Sequence, residues 1–225
     1  MHLVIFDIDG TLTQSVAVDE WCFVQAFRDV LGIEKISTNW LDYEFQTDSG
    51  LTLEISRKHL GRDPSVAEIG LLQSRFVQRL RDAVDGAGKS TLEIPGAAAL
   101  LNCLRAHPGW HIAIATGGWK ESARFKLASA GLPVDTFPWA NADDALDRVD
   151  ILRIAIGQAK QNNRQDTFEK TVYVGDGVWD ARAARSLEIG FLGIAAGNKS
   201  DRLLNEGASF VLADFANPGQ VVECL

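Results

Sequence analysis

The sequence predicts an α/β protein, built on a Rossmann-like parallel sheet with helices on both faces and an inserted all-helical cap. Short apolar runs rich in β-formers, beginning at residues 2–6, alternate with amphipathic helical segments. Glycines and polar residues follow several of these runs directly. One long segment, residues 14–92, has only helical and loop patterns and interrupts the alternation after the first strand. We therefore expect a core domain of residues 1–13 and 93–225, with residues 14–92 forming the cap domain.

The composition is that of an ordinary globular protein, with 46% hydrophobic and 23% charged residues in 225. A formal net charge of −8 argues against general binding to nucleic acid, which requires a basic face. No apolar run reaches the length of a membrane span, and no signal peptide is expected before the first strand. Three cysteines without metal-site spacing favour a reducing, cytoplasmic compartment, and Cys22 and Cys103 are expected in the core.

Hydrophobic periodicity and capping residues predict the remaining elements. Cap helices are expected over residues 18–31, 51–60 and about 66–84. Ser65 and Glu68 form a capping box before the third of these helices, and Gly86 and Gly88 end it. Core strands are predicted at residues 110–115, 136–139, 171–174, 190–194 and 210–212. Core helices are predicted at residues 97–106, 120–130, 148–160 and 180–187.

The loop after the first strand, Asp7-Ile8-Asp9-Gly10-Thr11, is the strongest local signal. Asp7 and Asp9 are two residues apart, so strand periodicity predicts their side chains on one side. Two carboxylates 4 Å apart repel by roughly 4 kcal/mol at an effective dielectric constant near 20. A hard divalent cation would offset this repulsion, whereas an ordinary turn or helix cap is the alternative interpretation.

Two further strand ends carry polar residues: Thr116-Gly117-Gly118, and Gly175-Asp176 with Asp180. In a parallel sheet the carboxyl ends of the strands meet at one edge, which is where such folds bind ligands. We therefore expect these residues to lie close to Asp7 and Asp9.

In this order the motifs resemble those of the haloacid dehalogenase superfamily, mainly its phosphatase branch, over nearly the whole chain. The first family motif, Asp-x-Asp-Gly-Thr, is matched at residues 7–11. A Thr that ends the second core strand is matched by Thr116, and a Gly-Asp pair followed by another acidic residue is matched by Gly175, Asp176 and Asp180. The resemblance implies a Rossmann-like core with a helical cap.

The family also has a lysine upstream of the Gly-Asp motif, and here the sequence departs from the pattern. Arg148 stands at the corresponding place, 27 residues before Gly175. Lys160 and Lys126 are the alternatives for this cation. We expect Lys126 on the solvated face of its helix.

The resemblance implies a mechanism for the acidic residues. Asp7 would be the nucleophile that forms an aspartyl-phosphate. Asp9 would be the general acid that protonates the leaving oxygen, and then the base that activates water. Mg²⁺ would be held by Asp7 and Asp176 and by the backbone carbonyl of Asp9.

The resemblance likewise implies how the phosphate is bound. The Thr116 hydroxyl and the Gly117 amide would donate hydrogen bonds to phosphate oxygens. The Arg148 guanidinium would pair with both the phosphate and Asp7, because its fork suits such a clamp.

Three features remain open between a structural and a functional interpretation. Asp180 either orients a metal-bound water or caps the following helix. The segment 47–50 either reaches the substrate or supplies an ordinary helix N-cap. Trp119 and Trp179 either wall the substrate pocket or, as is more common for aromatic residues, pack against a neighbouring helix.

The sequence thus predicts a Mg²⁺-dependent phosphomonoester hydrolase. Its expected substrate is a small phosphorylated metabolite, and the resemblance implies phosphoglycolate-like or sugar phosphates, the usual substrates of family members with this type of cap. The alternatives are a phosphoglucomutase-like phosphotransferase and a non-catalytic interaction module on the same fold. A dehalogenase is disfavoured because that branch lacks the second aspartate. No nucleic acid or membrane partner is expected, and both a monomer and a homodimer remain open.

Overall fold

A computed structural model describes residues 1–86, 92–133 and 136–225. Its strands are β1 (His2–Phe6), β2 (Trp110–Ala115), β3 (Trp139–Ala140), β4 (Lys170–Gly175), β5 (Gly190–Ile194) and β6 (Phe210–Leu212). Its α-helices are α1 (Val16–Leu31), α2 (Asp48–Leu60), α3 (Val66–Gly86), α4 (Ala97–Ala106), α5 (Lys120–Ser129), α6 (Arg148–Asn163), α7 (Val178–Ser186), α8 (Asn198–Asn205) and α9 (Pro218–Cys224). The predicted helix stop at Gly88 lies outside the described residues.

The six strands form one parallel sheet in the order β3-β2-β1-β4-β5-β6, which confirms the predicted fold class. After β1 the chain builds the sheet in one direction to β3, and then crosses back to place β4 on the other side of β1. The strand order therefore reverses between β1 and β4. Ligands bind at this kind of switch point in doubly wound folds, at the carboxyl ends of the strands.

The first strand is buried on both faces. Val4 and Phe6 pack into the apolar cluster beneath α4, α5 and α9, whereas Leu3 and Ile5 face the cluster beneath α6 and α7. This alternation follows from the two-residue period of a strand. A central parallel strand covered by helices on both sides is expected to be an almost continuous apolar run, as β1 is.

The third strand begins later than predicted, at Trp139 rather than at residue 136. The carbonyl of Pro138 accepts a hydrogen bond from the amide of Ile114, but proline has no N–H to donate to the ladder. The strand consequently starts after Pro138. Helices α8 and α9 had not been predicted, because α8 buries only Leu203 and α9 only Val221.

Helices α1, α2 and α3 lie between β1 and β2 in the chain and share a separate apolar cluster, around Phe23, Phe27 and Phe76. The capping box at the start of α3 is present: the Ser65 amide donates to Glu68 and the Glu68 amide donates to the Ser65 hydroxyl. The two connections to the core pair with each other, the Gln14 amide donating to the Leu92 carbonyl. These helices form the predicted all-helical insertion, while the division at residues 14 and 92 stays a prediction.

The cysteine prediction is correct for Cys22 and wrong for Cys103. Cys22 is buried, whereas Cys103 is exposed. Helix α4 buries Leu100, Leu101 and Leu104, and Cys103 falls on its opposite side. Among the described residues, no helix is long and apolar enough to cross a membrane.

Candidate active site at the switch point

The loop after β1 turns sharply beside the end of β4. Gly10 has a φ of 75°, a left-handed conformation that favours glycine. A β-carbon at this position would lie 2.2 Å from Oδ2 of Asp176. Glycine is therefore required both by the turn and by the close approach of the Asp176 carboxylate.

Three carboxylates meet at this point. Asp7, Asp176 and Asp180 each offer an oxygen atom, and these atoms lie within 4.8 Å of one another. Burial, together with repulsion from Asp180 and Asp9, raises the pKa of Asp7 to about 7, although the Arg148 guanidinium opposes the shift. Burial also raises the pKa of Asp176, and its carboxylate neighbours Asp180 and Asp7 add to that effect. Holding all three groups ionised requires additional positive charge, and oxygen ligands of this kind fit Mg²⁺.

Asp180 has two structural partners within this cluster. Its Oδ2 accepts a hydrogen bond from the Gly177 amide at 2.9 Å, which caps α7, and its Oδ1 accepts from the Tyr173 hydroxyl at 3.0 Å. The capping interpretation from the sequence is thus present in the structure. Tyr173 also fixes the carboxylate from within the sheet. These bonds hold Asp180 in place next to Asp7 and Asp176.

Arg148 supplies positive charge to the cluster from the first turn of α6. Its Nη1 donates to Oδ1 of Asp7 at 3.1 Å, and its Nε lies 3.5 Å from Oδ1 of Asp180. Its side chain is 10% exposed, so water screens these pairs only weakly. Lys160, twelve positions further along α6, is about 18 Å away at 1.5 Å per residue. Of these two residues of α6, only Arg148 lines the cleft.

The end of β2 contributes a close backbone approach. The Thr116 hydroxyl accepts a hydrogen bond from the Gly118 amide at 3.2 Å. A β-carbon at Gly117 would lie 2.6 Å from Nη2 of Arg148 and 2.8 Å from the Gln46 carbonyl. Thr116 and Gly117 both line the cleft, so the structure brings them together with Asp7, as the strand-end argument predicted.

The prediction that Lys126 lies on the solvated face of its helix is wrong, because its side chain is buried. Its Nζ donates to Oδ2 of Asp9 at 2.6 Å and to Oδ1 of Asp19 at 2.5 Å, and its side chain is 0% exposed. The helical pattern gives one local signal of this burial, although the two carboxylates that pair with Lys126 come from distant segments. Lys126 falls on the same helical stripe as Ala123 and Leu127, which are both buried. A sequence-based prediction nevertheless places it in solvent because its side chain is charged.

Asp7 and Asp9 consequently have different partners, although both line the cleft. The strand ends at Phe6, so strand alternation does not extend to Asp9. The carboxylate of Asp9 meets Lys126 and accepts a hydrogen bond from the Ser15 hydroxyl, outside the cluster of Asp7, Asp176 and Asp180. The arrangement separates the two acidic residues of one loop into two electrostatic environments.

The cleft between the sheet edge and the inserted helices has a volume of about 770 Å³. Its cap side is acidic, with Asp19 and Asp48 among its lining residues. The opposite side includes Trp179 and basic residues of α7 and α8. Trp119 is instead buried against Phe23 and Phe76, so it packs against the cap helices.

The inserted helices contact the sheet edge directly through the start of α2. The Thr47 side chain accepts a hydrogen bond from the Gly50 amide, which makes it an N-cap, and its hydroxyl donates to the Leu146 carbonyl at 2.6 Å. Asp48 accepts from the Trp119 amide at 2.8 Å. The cap hydroxyl and carboxylate thus lie at the rim of the cleft as part of the cap–core contact.

The fold and the side chains around the cleft together define a doubly wound α/β protein with a carboxylate-rich cleft at its switch point. The comparisons with known proteins then give the family. Residues 1–187 match the haloacid dehalogenase-like hydrolase family, and the chain belongs to this family of hydrolases. No curated protein sequence matches the chain closely enough to count as a relative.

Solved structures share the fold over nearly the whole chain. A hydrolase from Pseudomonas syringae has a TM-score of 0.74 at 21% identity, covering 99% of this chain and 98% of its own. A candidate beta-phosphoglucomutase from Bacteroides vulgatus has a TM-score of 0.73 at 17% identity, covering 100% and 88%. CbbY from Rhodobacter sphaeroides, in complex with phosphate, has a TM-score of 0.71 at 21% identity, covering 96% of each chain. At identities this low, the structural likeness establishes a common fold and nothing beyond it.

Proposed function

We propose that the protein is a Mg²⁺-dependent phosphomonoester hydrolase that acts on small phosphorylated metabolites. The observation that carries this proposal is the buried cluster of Asp7, Asp176 and Asp180 with Arg148 paired to Asp7. A nucleophilic carboxylate, a cation-binding carboxylate and a guanidinium at one point are the groups that transfer of a phosphoryl dianion needs. The CbbY structure in complex with phosphate, which shares the fold, supports the proposal by analogy.

In the first half-reaction the Asp7 carboxylate attacks phosphorus. An Oδ–P bond forms while the ester P–O bond breaks, and Asp9 gives its proton to the departing alcohol oxygen. The Arg148 guanidinium stabilises the negative charge shared by Asp7 and the phosphoryl oxygens. The Thr116 hydroxyl and the Gly117 amide orient that phosphoryl group.

In the second half-reaction Asp9 takes a proton from water as the water oxygen attacks the aspartyl-phosphate. The bond between phosphorus and Asp7 breaks, inorganic phosphate leaves, and both carboxyl groups return to their starting states. Asp7 and Asp176, with the Asp9 carbonyl, would hold Mg²⁺, which when bound screens the phosphate charge from Asp7. The 770 Å³ cleft under the inserted helices favours a small substrate.

The test uses p-nitrophenyl phosphate together with a panel of small metabolic phosphate esters. We expect phosphate release that stops with EDTA and returns with excess Mg²⁺, while full activity in metal-free buffer would contradict the proposal. Asp7→Asn should reduce turnover to background. Asp166→Asn, at an exposed acidic residue far along the chain, is the matched control and should retain wild-type rates.

A phosphoglucomutase-like reaction would use the same aspartyl-phosphate. This alternative is motivated by the structural likeness to the candidate beta-phosphoglucomutase from Bacteroides vulgatus. The two reactions differ in products. A hydrolase releases one inorganic phosphate for each ester consumed, whereas a mutase returns the phosphoryl group to another hydroxyl of the sugar and releases almost none. Measuring phosphate release against substrate loss for a hexose phosphate distinguishes them.

A further inference from the structure

Lys126 lies fully buried between the loop that follows β1 and the first inserted helix. Its ammonium group pairs with Asp9 of the loop at 2.6 Å and with Asp19 of α1 at 2.5 Å. A buried ammonium group is costly unless carboxylates surround it. Lys126 therefore couples the position of Asp9 to the position of α1.

Asp9 is held at both of its carboxyl oxygens. Lys126 contacts Oδ2, and the hydroxyl of Ser15, the residue before α1, contacts Oδ1. The Ser15 hydroxyl is itself 2.6 Å from the hydroxyl of Thr13. A carboxyl group with one partner on each oxygen cannot rotate freely, while the second lone-pair position of each oxygen stays available for a proton.

The link continues into the cap through a second carboxylate. Asp48 of α2 raises the pKa of Lys126 together with Asp19 and Asp9, although burial alone would lower it. Asp48 is fixed in turn by the Trp119 amide, at the start of the helix that carries Lys126. Two inserted helices thus present negative charge to one core lysine.

We propose that Lys126 is a positioning residue for proton transfer: it orients the Asp9 carboxyl group toward the leaving oxygen and ties that orientation to the docked cap through Asp19. This inference rests on the proposed phosphomonoester hydrolysis. The step it serves is the transfer of the Asp9 proton to the ester oxygen as the P–O bond breaks and the bond to Asp7 forms. Small errors in the placement of such a group reduce rates by about a hundredfold.

A matched pair of substrates isolates this role, namely phenyl phosphate and p-nitrophenyl phosphate. The nitrophenolate leaves readily without a proton, whereas phenolate is more basic and needs the acid more. For Lys126→Met we expect kcat/KM to fall about 10- to 100-fold more for phenyl phosphate than for p-nitrophenyl phosphate. Because kcat/KM reports on the step in which the leaving group departs, slow hydrolysis of the aspartyl-phosphate does not mask the effect.

The ratio of the two kcat/KM values is independent of the fraction of folded enzyme, so partial unfolding does not imitate the result. Lys120→Met, at an exposed lysine of the same helix, is the control and should keep the wild-type ratio. Lys126→Met/Asp19→Asn removes the buried charges as a pair and should show the same selective loss. Lys126→Arg, which keeps the charge, should restore part of the ratio.

Two results overturn the inference in distinguishable ways. An active wild-type enzyme whose Lys126→Met variant loses equal factors on both esters, or loses nothing, refutes the positioning role and leaves the proposed function intact. A wild-type enzyme that hydrolyses neither ester with Mg²⁺ removes the proposed function, and the role of Lys126 falls with it.

Discussion

Asp7 and Asp9 are two residues apart, yet they lie in two different regions of the cleft. Asp7 belongs to the carboxylate cluster at the end of β1 and β4, where Arg148 is its cation. Asp9 faces the inserted helices, where Lys126 and Ser15 hold it. One tight turn therefore supplies two carboxylates with separate partners. The comparison teaches that adjacency in sequence does not impose a common chemistry when two different core helices, α6 and α5, each provide a cation.

The largest change in rate is expected when Arg148, the cation beside Asp7, is replaced. Arg148→Ala leaves the buried charge of Asp7 less compensated, which should cost on the order of 2–5 kcal/mol, or about 30-fold to several thousandfold in rate. Arg148→Lys keeps the charge but not the fork, so its rate should fall between those of the wild type and Arg148→Ala. Steady-state kinetics on p-nitrophenyl phosphate measures both.

Lys160→Ala is the control for this series, because Lys160 is on the same helix but does not line the cleft. It should leave the rate close to that of the wild type. A nearly inactive Lys160→Ala enzyme beside a fully active Arg148→Ala enzyme would reverse the assignment.

The next largest difference between the Asp7 region and the Asp9 region should be in their contribution to Mg²⁺ affinity. Asp176→Asn removes a carboxylate from the cluster, whereas Asp9→Asn changes a side chain that lies outside it. We expect Mg²⁺ to raise the Tm of the wild type and of Asp9→Asn, and to raise it much less for Asp176→Asn at the same concentration, since a bound ion stabilises in proportion to RT ln(1 + [L]/Kd). If Mg²⁺ raised the Tm of the two variants equally, the ion would not be bound by the Asp176 carboxylate.

The smallest effect concerns the pH dependence of stability on the cap side. Burial and the neighbouring Asp9 raise the pKa of Asp19 to about 7 from an ordinary 3.8, even though Lys126 opposes the shift. The folded protein then holds this proton to a higher pH than the unfolded chain does. The contribution of Asp19 to the free energy of unfolding therefore falls as the pH rises from about 4 to about 7.

Asp19→Asn removes that titration, so its Tm in EDTA should decline less than the wild-type Tm over the same pH range. Each kcal/mol corresponds to about 2–4 °C in a protein of this size. Asp166→Asn should keep the wild-type slope. An Asp19→Asn variant with an unchanged slope would mean that Asp19 does not carry this part of the pH dependence.

The sequence was informative wherever local chemistry decides the outcome. The ends of β1, β2 and β4 were predicted from apolar runs and glycines, and they bring Asp7, Thr116 and Asp176 to one edge. These strand ends depend on strand period and parallel topology, which a sequence pattern encodes. The pairing of Arg148 with Asp7 was implied by the family resemblance, in which its spacing to Gly175 placed Arg148 at the lysine position.

What the sequence did not predict depends on contacts between distant segments. Lys126 had been placed in solvent because its burial requires Asp9 and Asp19, and these residues are 117 and 107 positions away. Likewise, the bond from Tyr173 to Asp180 joins a core strand to a helix cap and has no local signature. The start of β3 is shifted to Trp139 because Pro138 has no N–H to donate to the ladder.

The most direct test of separate roles for Asp7 and Asp9 is mass spectrometry of enzyme quenched in acid after mixing with p-nitrophenyl phosphate and Mg²⁺. Asp9→Asn should accumulate one phosphoryl group on Asp7, because the activated ester transfers without an acid while hydrolysis lacks its base. Asp7→Asn should carry none. A phosphorylated Asp7→Asn enzyme, or an Asp9→Asn enzyme that never gains the group, would contradict this division of labour.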